Sequence, residues 1–131
     1  MRTASDTQIT IDERDSRPVY RQVADGIKEL IARGALGEGM ALPSVRQLAG
    51  DLGVNMNTIA SAYRELQSEG LVAVRHGSGA IVMRRDLASD ATERGRRALR
   101  AALTELLLSG MPGDDIKAVV SDELAGLSEG T

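Results

Sequence analysis

Apolar residues recur at a helical period in five stretches of this chain. Val19, Tyr20, Val23, Ile27, Leu30 and Ile31 fall about every 3.6 residues and predict a helix from Pro18 to Arg33. Ser16 or Arg17 would sit at its cap, Pro18 fits its first turn, and Gly34 would end it. A shorter apolar face comes next at Leu48, Ala49 and Leu52. Ser44-Val45-Arg46-Gln47 before it has the form of a capping box, in which Ser44 accepts from the backbone three residues on and Gln47 reaches back. Gly53 can take the left-handed conformation that stops a helix, and Asn55 is a good cap for the next. Ile59, Ala62, Tyr63 and Leu66 would bury one side of that helix before Gly70 ends it.

Two more helices are expected after residue 86. Ala102 with Leu99, Leu103, Leu106 and Leu107 marks one from Ser89 to about Ser109, with Asp90 and Glu93 as an alternative capping pair. Gly110-Met111-Pro112-Gly113 breaks the pattern. Ile116, Val119, Val120, Leu124 and Leu127 mark a last helix from Asp114 to about Leu127, with Asp114 and Asp115 where the helix dipole favours acids. Between the third and fourth helices, Leu71–Arg75 and Ala80–Met83 have strand composition around the turn residues His76-Gly77-Ser78-Gly79. Gly37-Glu38-Gly39-Met40 lacks the Gly-Lys-Ser/Thr of a phosphate-binding loop and reads as a plain turn. Ile9 and Ile11 alternate with polar neighbours and allow one short edge strand in an otherwise partly ordered beginning.

Two helices across a glycine turn, then a two-stranded wing, make a winged helix-turn-helix. The expected fold is therefore mainly α with a small β-hairpin wing. Residues 1–16 are a flexible lead-in, 17–85 the winged unit, and 86–131 a two-helix hairpin, with a candidate linker at Arg84-Arg85-Asp86-Leu87. A hairpin of this size has little core of its own. Its stripe of Leu99, Leu103, Leu106, Leu107, Ile116, Val119, Val120 and Leu124 needs a cover, and a second copy of the chain is the expected one.

Composition narrows the chemistry. The chain has no cysteine, so disulfides and thiolate metal sites are excluded, and its single histidine leaves little scope for another metal site. Two tyrosines are its only aromatic residues, which argues against reading single strands by base stacking. No apolar run approaches the roughly 20 residues that span a bilayer, and the polar beginning lacks a secretory signal, so a cytoplasmic protein is expected. No cofactor is expected. The net charge of −3 suits a nucleic-acid binder poorly until it is divided along the chain. Residues 17–85 hold nine basic and six acidic side chains, whereas both flanking segments are acidic.

In a helix-turn-helix the second helix presents its first residues to base edges in the major groove. Here these are Asn55, Met56, Asn57 and Thr58. Asn55 has two uses, capping its helix or contacting a base. Asn57 lies further in and is free for a base or phosphate. Thr58 can touch DNA or bond back to its own helix, and Met56 offers only apolar contact. Arg46 can reach a phosphate or a guanine; otherwise it pairs with Asp51, Glu65 or Glu69. Arg64 is a phosphate candidate. Arg75, His76, Gly77 and Ser78 form the wing tip, where glycine lets backbone approach a sugar-phosphate rail or serves hairpin geometry alone. No catalytic arrangement of Ser, His and Asp or of paired carboxylates is evident.

These residues resemble the GntR family of bacterial transcription regulators. The resemblance runs from Pro18 to Val82. It rests on Pro18-Val19-Tyr20-Arg21-Gln22-Val23, on Leu42-Pro43-Ser44-x-Arg46-x-Leu48-Ala49, on Leu52-Gly53-Val54-Asn55-x-Asn57-Thr58, on Leu66-x-x-x-Gly70-Leu71-Val72 and on Arg75-x-Gly77-x-Gly79. The Asn-x-Asn-Thr form and the short helical tail resemble the YtrA-type branch. The resemblance implies a homodimeric regulator of double-stranded DNA, usually a repressor, on a palindromic operator, with Arg46, Asn55, Asn57, Thr58, His76 and Gly77 at DNA-contacting positions. Ala60 and Ser61 stand where relatives often carry Arg, and Met56 where Arg or Pro is common, which shifts the expected affinity onto Arg46, Arg64 and the wing. Residues 86–131 are too short for the ligand-binding domain of larger branches, so a small-molecule effector would need a site at the dimer interface. They are also too short for the aminotransferase-like domain of another branch. The alternative is a protein-interaction module on the same fold, without sequence-specific DNA binding.

Overall fold

The computed structural model describes residues 2–4, 9–75, 79–83 and 90–128. The chain divides into two compact units, one up to Arg85 and one from Asp86 to Glu129. The first contains β1 (Arg2–Ala4), β2 (Ile9–Ile11), α1 (Val19–Ala32), α2 (Val45–Leu52), α3 (Met56–Ser68), β3 (Val72–Arg75) and β4 (Gly79–Val82). The second contains α4 (Ala91–Leu108) and α5 (Gly113–Ser128).

The helix starts obey local chemistry. Ser44 caps α2, its hydroxyl accepting the Gln47 N–H at 3.0 Å. The returning half of the capping box, from the Gln47 side chain, does not form among the described residues. Gly53 ends α2 in the left-handed region at φ 67°, and the Val54 N–H turns back to the Ala49 carbonyl at 3.0 Å. Asn55 caps α3 through its side-chain oxygen, which accepts the Asn57 N–H at 2.7 Å. Two expected caps differ. Pro18, rather than Ser16 or Arg17, is the N-cap of α1, because proline lacks the N–H a helix interior needs while its carbonyl accepts from Arg21 and Gln22. Asp90 precedes α4 but makes no cap bond; its carboxylate pairs with Arg94 at 3.1 Å instead.

The apolar faces of α1, α2 and α3 meet in one core. Val23, Ala24 and Ile27 pack with Leu48, Leu52, Ile59, Ala62, Tyr63 and Leu66, all essentially without solvent contact. Each Val, Leu or Ile among them contributes about 1.5–3 kcal/mol by leaving water. Ile9 and Ile11 belong to the same core, which corrects the flexible lead-in at these positions. β2 pairs antiparallel with β1 in the register Thr3 to Thr10. Gln22 of α1 then anchors the chain between β2 and α1. Its amide donates to the Asp12 and Arg17 carbonyls at 3.1 Å, and its oxygen accepts the Asp12 N–H at 2.9 Å.

The wing is β3 and β4, antiparallel with Val74 opposite Ala80. A third extended segment joins it. Leu42 N–H donates to the Ala80 carbonyl at 2.7 Å, Val82 N–H to the Met40 carbonyl at 2.9 Å, and Ala41 bridges Ile81. The glycine-rich turn at residues 37–40 therefore delivers the chain into the sheet edge.

In the second unit only Ile116 is buried among the described residues. It lies inside the hairpin rather than on an open face, whereas Leu107 and Leu124 are 58% and 63% exposed. Leu99, Val119 and Val120 are also exposed, and Leu103 and Leu106 are half-buried.

Candidate nucleic-acid interface

The N-terminal end of α2, the first turn of α3 and the wing enclose a concavity of about 490 Å³. Arg46 and Arg75 line it, with Ser44, Val45, Met56, Val74 and Gly79 between them. Asn57, Thr58 and Ser61 lie on another side of α3, where they share a depression of about 320 Å³ with Pro18, Val19 and Tyr20 from the start of α1. The sequence-predicted residues are thus split around one helix. Asn55 is engaged as a cap, while Asn57 is exposed. Arg64 is exposed and donates to the Ser61 hydroxyl at 3.1 Å. His76, Gly77 and Ser78 lie outside the described residues.

One segment holds the three elements in register. The buried Tyr63 of α3 donates its hydroxyl to the Pro43 carbonyl at 2.7 Å, one residue before the α2 cap. Burial pushes the Tyr63 phenol well above the ordinary tyrosine range. The wing closes on the same carbonyl. A Cβ at Gly79 would lie 3.0 Å from the Pro43 oxygen, and Gly79 has φ +92°, so glycine is required twice over.

Charge pairing decides which cations remain available. Arg21 of α1 meets Glu65 of α3 at 2.8 Å, and Lys28 meets Glu69 at 2.8 Å. The Tyr20 side chain and then the Glu65 charge raise the Arg21 pKa further, and its guanidinium lies 5.6 Å from the Tyr20 ring centroid. Glu65 and Glu69 are therefore committed to α1. Arg46 is exposed and has no ion pair with them, with Asp51 or with any other described residue. Arg75 is likewise exposed and unpaired among the described residues. Arg17, in contrast, is locked between Asp15 and Asp25 at 2.6 Å each. Its guanidinium holds the Asp15 carboxyl below the usual range through hydrogen bonds.

Sequence reasoning did not single out Val45 and Val74 as neighbours of Met56. Their grouping depends on the fold of the wing against α2, and the only local signal was an apolar residue directly after a helix cap. Among the described residues no three His, Cys, Asp or Glu side chains gather as a metal site, and no helix is long and apolar enough to cross a membrane.

The arrangement matches known proteins. Residues 19–82 match the family described as bacterial regulatory proteins, gntR family. The chain is 42% identical over 74 residues to the HTH-type transcriptional repressor YtrA of Bacillus subtilis strain 168, covering 56% of this chain. It spans 57% of that relative's length, and so little more than half of it. YtrA from Sulfolobus acidocaldarius, a GntR-family transcription factor, is 39% identical with a TM-score of 0.61, covering 76% of this chain and 97% of that one. The DNA-binding domain of AraR, solved in complex with operator ORX1, is 29% identical with a TM-score of 0.50, covering 56% of this chain and 92% of that one. On its matched motifs, its winged fold and its likeness to the YtrA proteins, the chain belongs to the GntR family of bacterial regulatory proteins.

Proposed function

We propose that this chain is a homodimeric, sequence-specific binder of double-stranded DNA that acts as a transcriptional repressor on a twofold-symmetric operator. The observation that carries the reading is Arg46, an exposed cation at the mouth of α2 that pairs with no described carboxylate, Glu65 and Glu69 being engaged by α1. An unpaired guanidinium at such a site suits a phosphate, or a guanine edge with both arms of its fork. Arg75 supplies a second cation from the wing. Asn57 and Thr58, with Arg64 beyond them, give the reading helix hydrogen-bonding groups on its open side. The Tyr63–Pro43 bond and the close seat of Gly79 supply rigidity, since a site is accurate only when its supports are fixed. That AraR's DNA-binding domain was solved on operator DNA supports the same use of this fold.

The dimer rests on α4 and α5. Leu99, Leu107, Leu108 and Leu124 are each half exposed or more, and Leu103, Leu107, Ile116, Val120 and Leu124 line a groove of about 540 Å³. An apolar surface of this kind marks an association face, and a second copy gives the twofold symmetry a palindrome requires. Release by a small-molecule effector would place that ligand at the same interface.

Selection of binding sites from random duplex DNA tests the reading. The expected result is a palindrome with half-site centres about one helical turn apart. If nothing is enriched, and all retention disappears as salt rises, the winged unit is a protein-interaction module instead.

A further inference from the structure

Met56 is the first residue of α3, directly after the Asn55 cap, and is 47% exposed. The first residues of a reading helix face base edges. A thioether donates no hydrogen bond and accepts only weakly, so Met56 cannot read a base by polar contact. It is not alone. Val74 of the wing, 43% exposed, and the half-buried Val45 line the same concavity. The concavity therefore has an apolar floor between two guanidiniums, Arg46 and Arg75, that have no ion pair among the described residues. A lone exposed methionine would need no explanation. Three apolar side chains from α2, α3 and β3, bracketed by cations, form a surface suited to an apolar group embedded in a polyanion. The apolar group that base edges present in the major groove is the C5-methyl of thymine.

We infer that Met56, backed by Val74 and Val45, selects thymine in each half-site by contact with its 5-methyl group. This rests on the DNA-reading function proposed above and adds a specificity-determining residue to it. A protein partner with an apolar segment amid acidic residues would also fit the floor, but it would be indifferent to a methyl group on DNA.

The test uses the duplex enriched by the wild-type protein, with each symmetry-related pair of thymines replaced in turn by deoxyuridine, which differs only in lacking that methyl. Binding is monitored by fluorescence anisotropy at fixed salt for wild type, Met56→Ala and Met56→Leu. Burial of one methyl corresponds to about fourfold in affinity, or about fifteenfold for both half-sites together. One thymine pair is expected to show this loss with wild type and with Met56→Leu, and less than about twofold with Met56→Ala. Neutrality of every thymine-to-deoxyuridine change in wild type overturns the inference while leaving DNA reading intact. Persistence of the full loss in Met56→Ala also overturns it, because another residue then reads the methyl. Failure of wild type to enrich any duplex removes the DNA-reading function, and this inference falls with it.

Discussion

Tyr63→Phe isolates the bond that ties the reading helix to the α2 cap. The ring stays in place, so the core keeps its volume, and only the hydroxyl that donates to the Pro43 carbonyl at 2.7 Å is lost. Tyr63 is 1% exposed, so water replaces that hydroxyl poorly. Losing a buried hydrogen bond and leaving its acceptor unsatisfied costs about 1–2 kcal/mol. For a unit of this size that lowers the melting temperature by about 5–12 °C. The pH dependence gives a second, independent reading. Burial raises the Tyr63 pKa in the folded state, so above about pH 10 the unfolded chain releases this proton while the folded one retains it. Fewer protons are bound in the unfolded state there, so wild-type stability falls as pH rises, by up to about 1.4 kcal/mol per pH unit from this group. The phenylalanine variant lacks that loss. The wild-type advantage is therefore full below pH 10 and closes roughly one pH unit above it. Urea unfolding monitored by circular dichroism from pH 7 to 11 measures both. A variant as stable as wild type at pH 7, or a gap that persists unchanged at pH 11, refutes the reasoning.

Gly79→Ala should destabilise the winged unit by about 2 kcal/mol or more, from the positive φ and the clash with the Pro43 oxygen. Gly39→Ala, at φ +83° with nothing within 4 Å, should cost only about 1 kcal/mol in the same thermal melts. Gln22→Ala removes three hydrogen bonds and should cost about 2–3 kcal/mol. Hydrogen exchange should then accelerate at the Asp12 amide and across Ile9–Ile11, and an unchanged profile there would mean the strand is held by packing alone. Leu107→Glu with Leu124→Glu places charge on the open face of the hairpin without touching the buried Ile116. Sedimentation should show a monomer and circular dichroism an unchanged helix content, and a dimer as tight as wild type would place the interface elsewhere.

Much of the winged unit was readable because its signals are local. Ser44, Gly53 and Asn55 act within a few residues of where they stand, and the core faces of α1 to α3 repeat at a short period. What was hidden is non-local. Ile9 and Ile11 alternate over only three residues, enough to allow a short edge strand but not to show its burial, which depends on α1, where Gly26 lies against the Ile9 side chain. The Met40–Leu42 edge is set by β4, nearly forty residues later. At the candidate site the type of residue was legible, but its state was not. Arg46, Arg21 and Lys28 look alike in a string of letters. Only the crossing of α1 over α3 assigns Glu65 and Glu69 to two of them and leaves Arg46 without an ion pair among the described residues. The grouping of Met56 with Val74 needs the wing folded back on α2, which no sequence period encodes.

The most direct test of the central claim compares affinity for the enriched duplex with affinity for a scrambled duplex of equal length and composition, from 50 to 300 mM salt. Sequence reading through Arg46 and the start of α3 predicts a preference of about a thousandfold or more near physiological salt. Arg46→Ala should cut affinity for the enriched duplex by roughly ten- to a hundredfold. Equal affinities for both duplexes at every salt concentration, falling together as salt rises, would contradict the account.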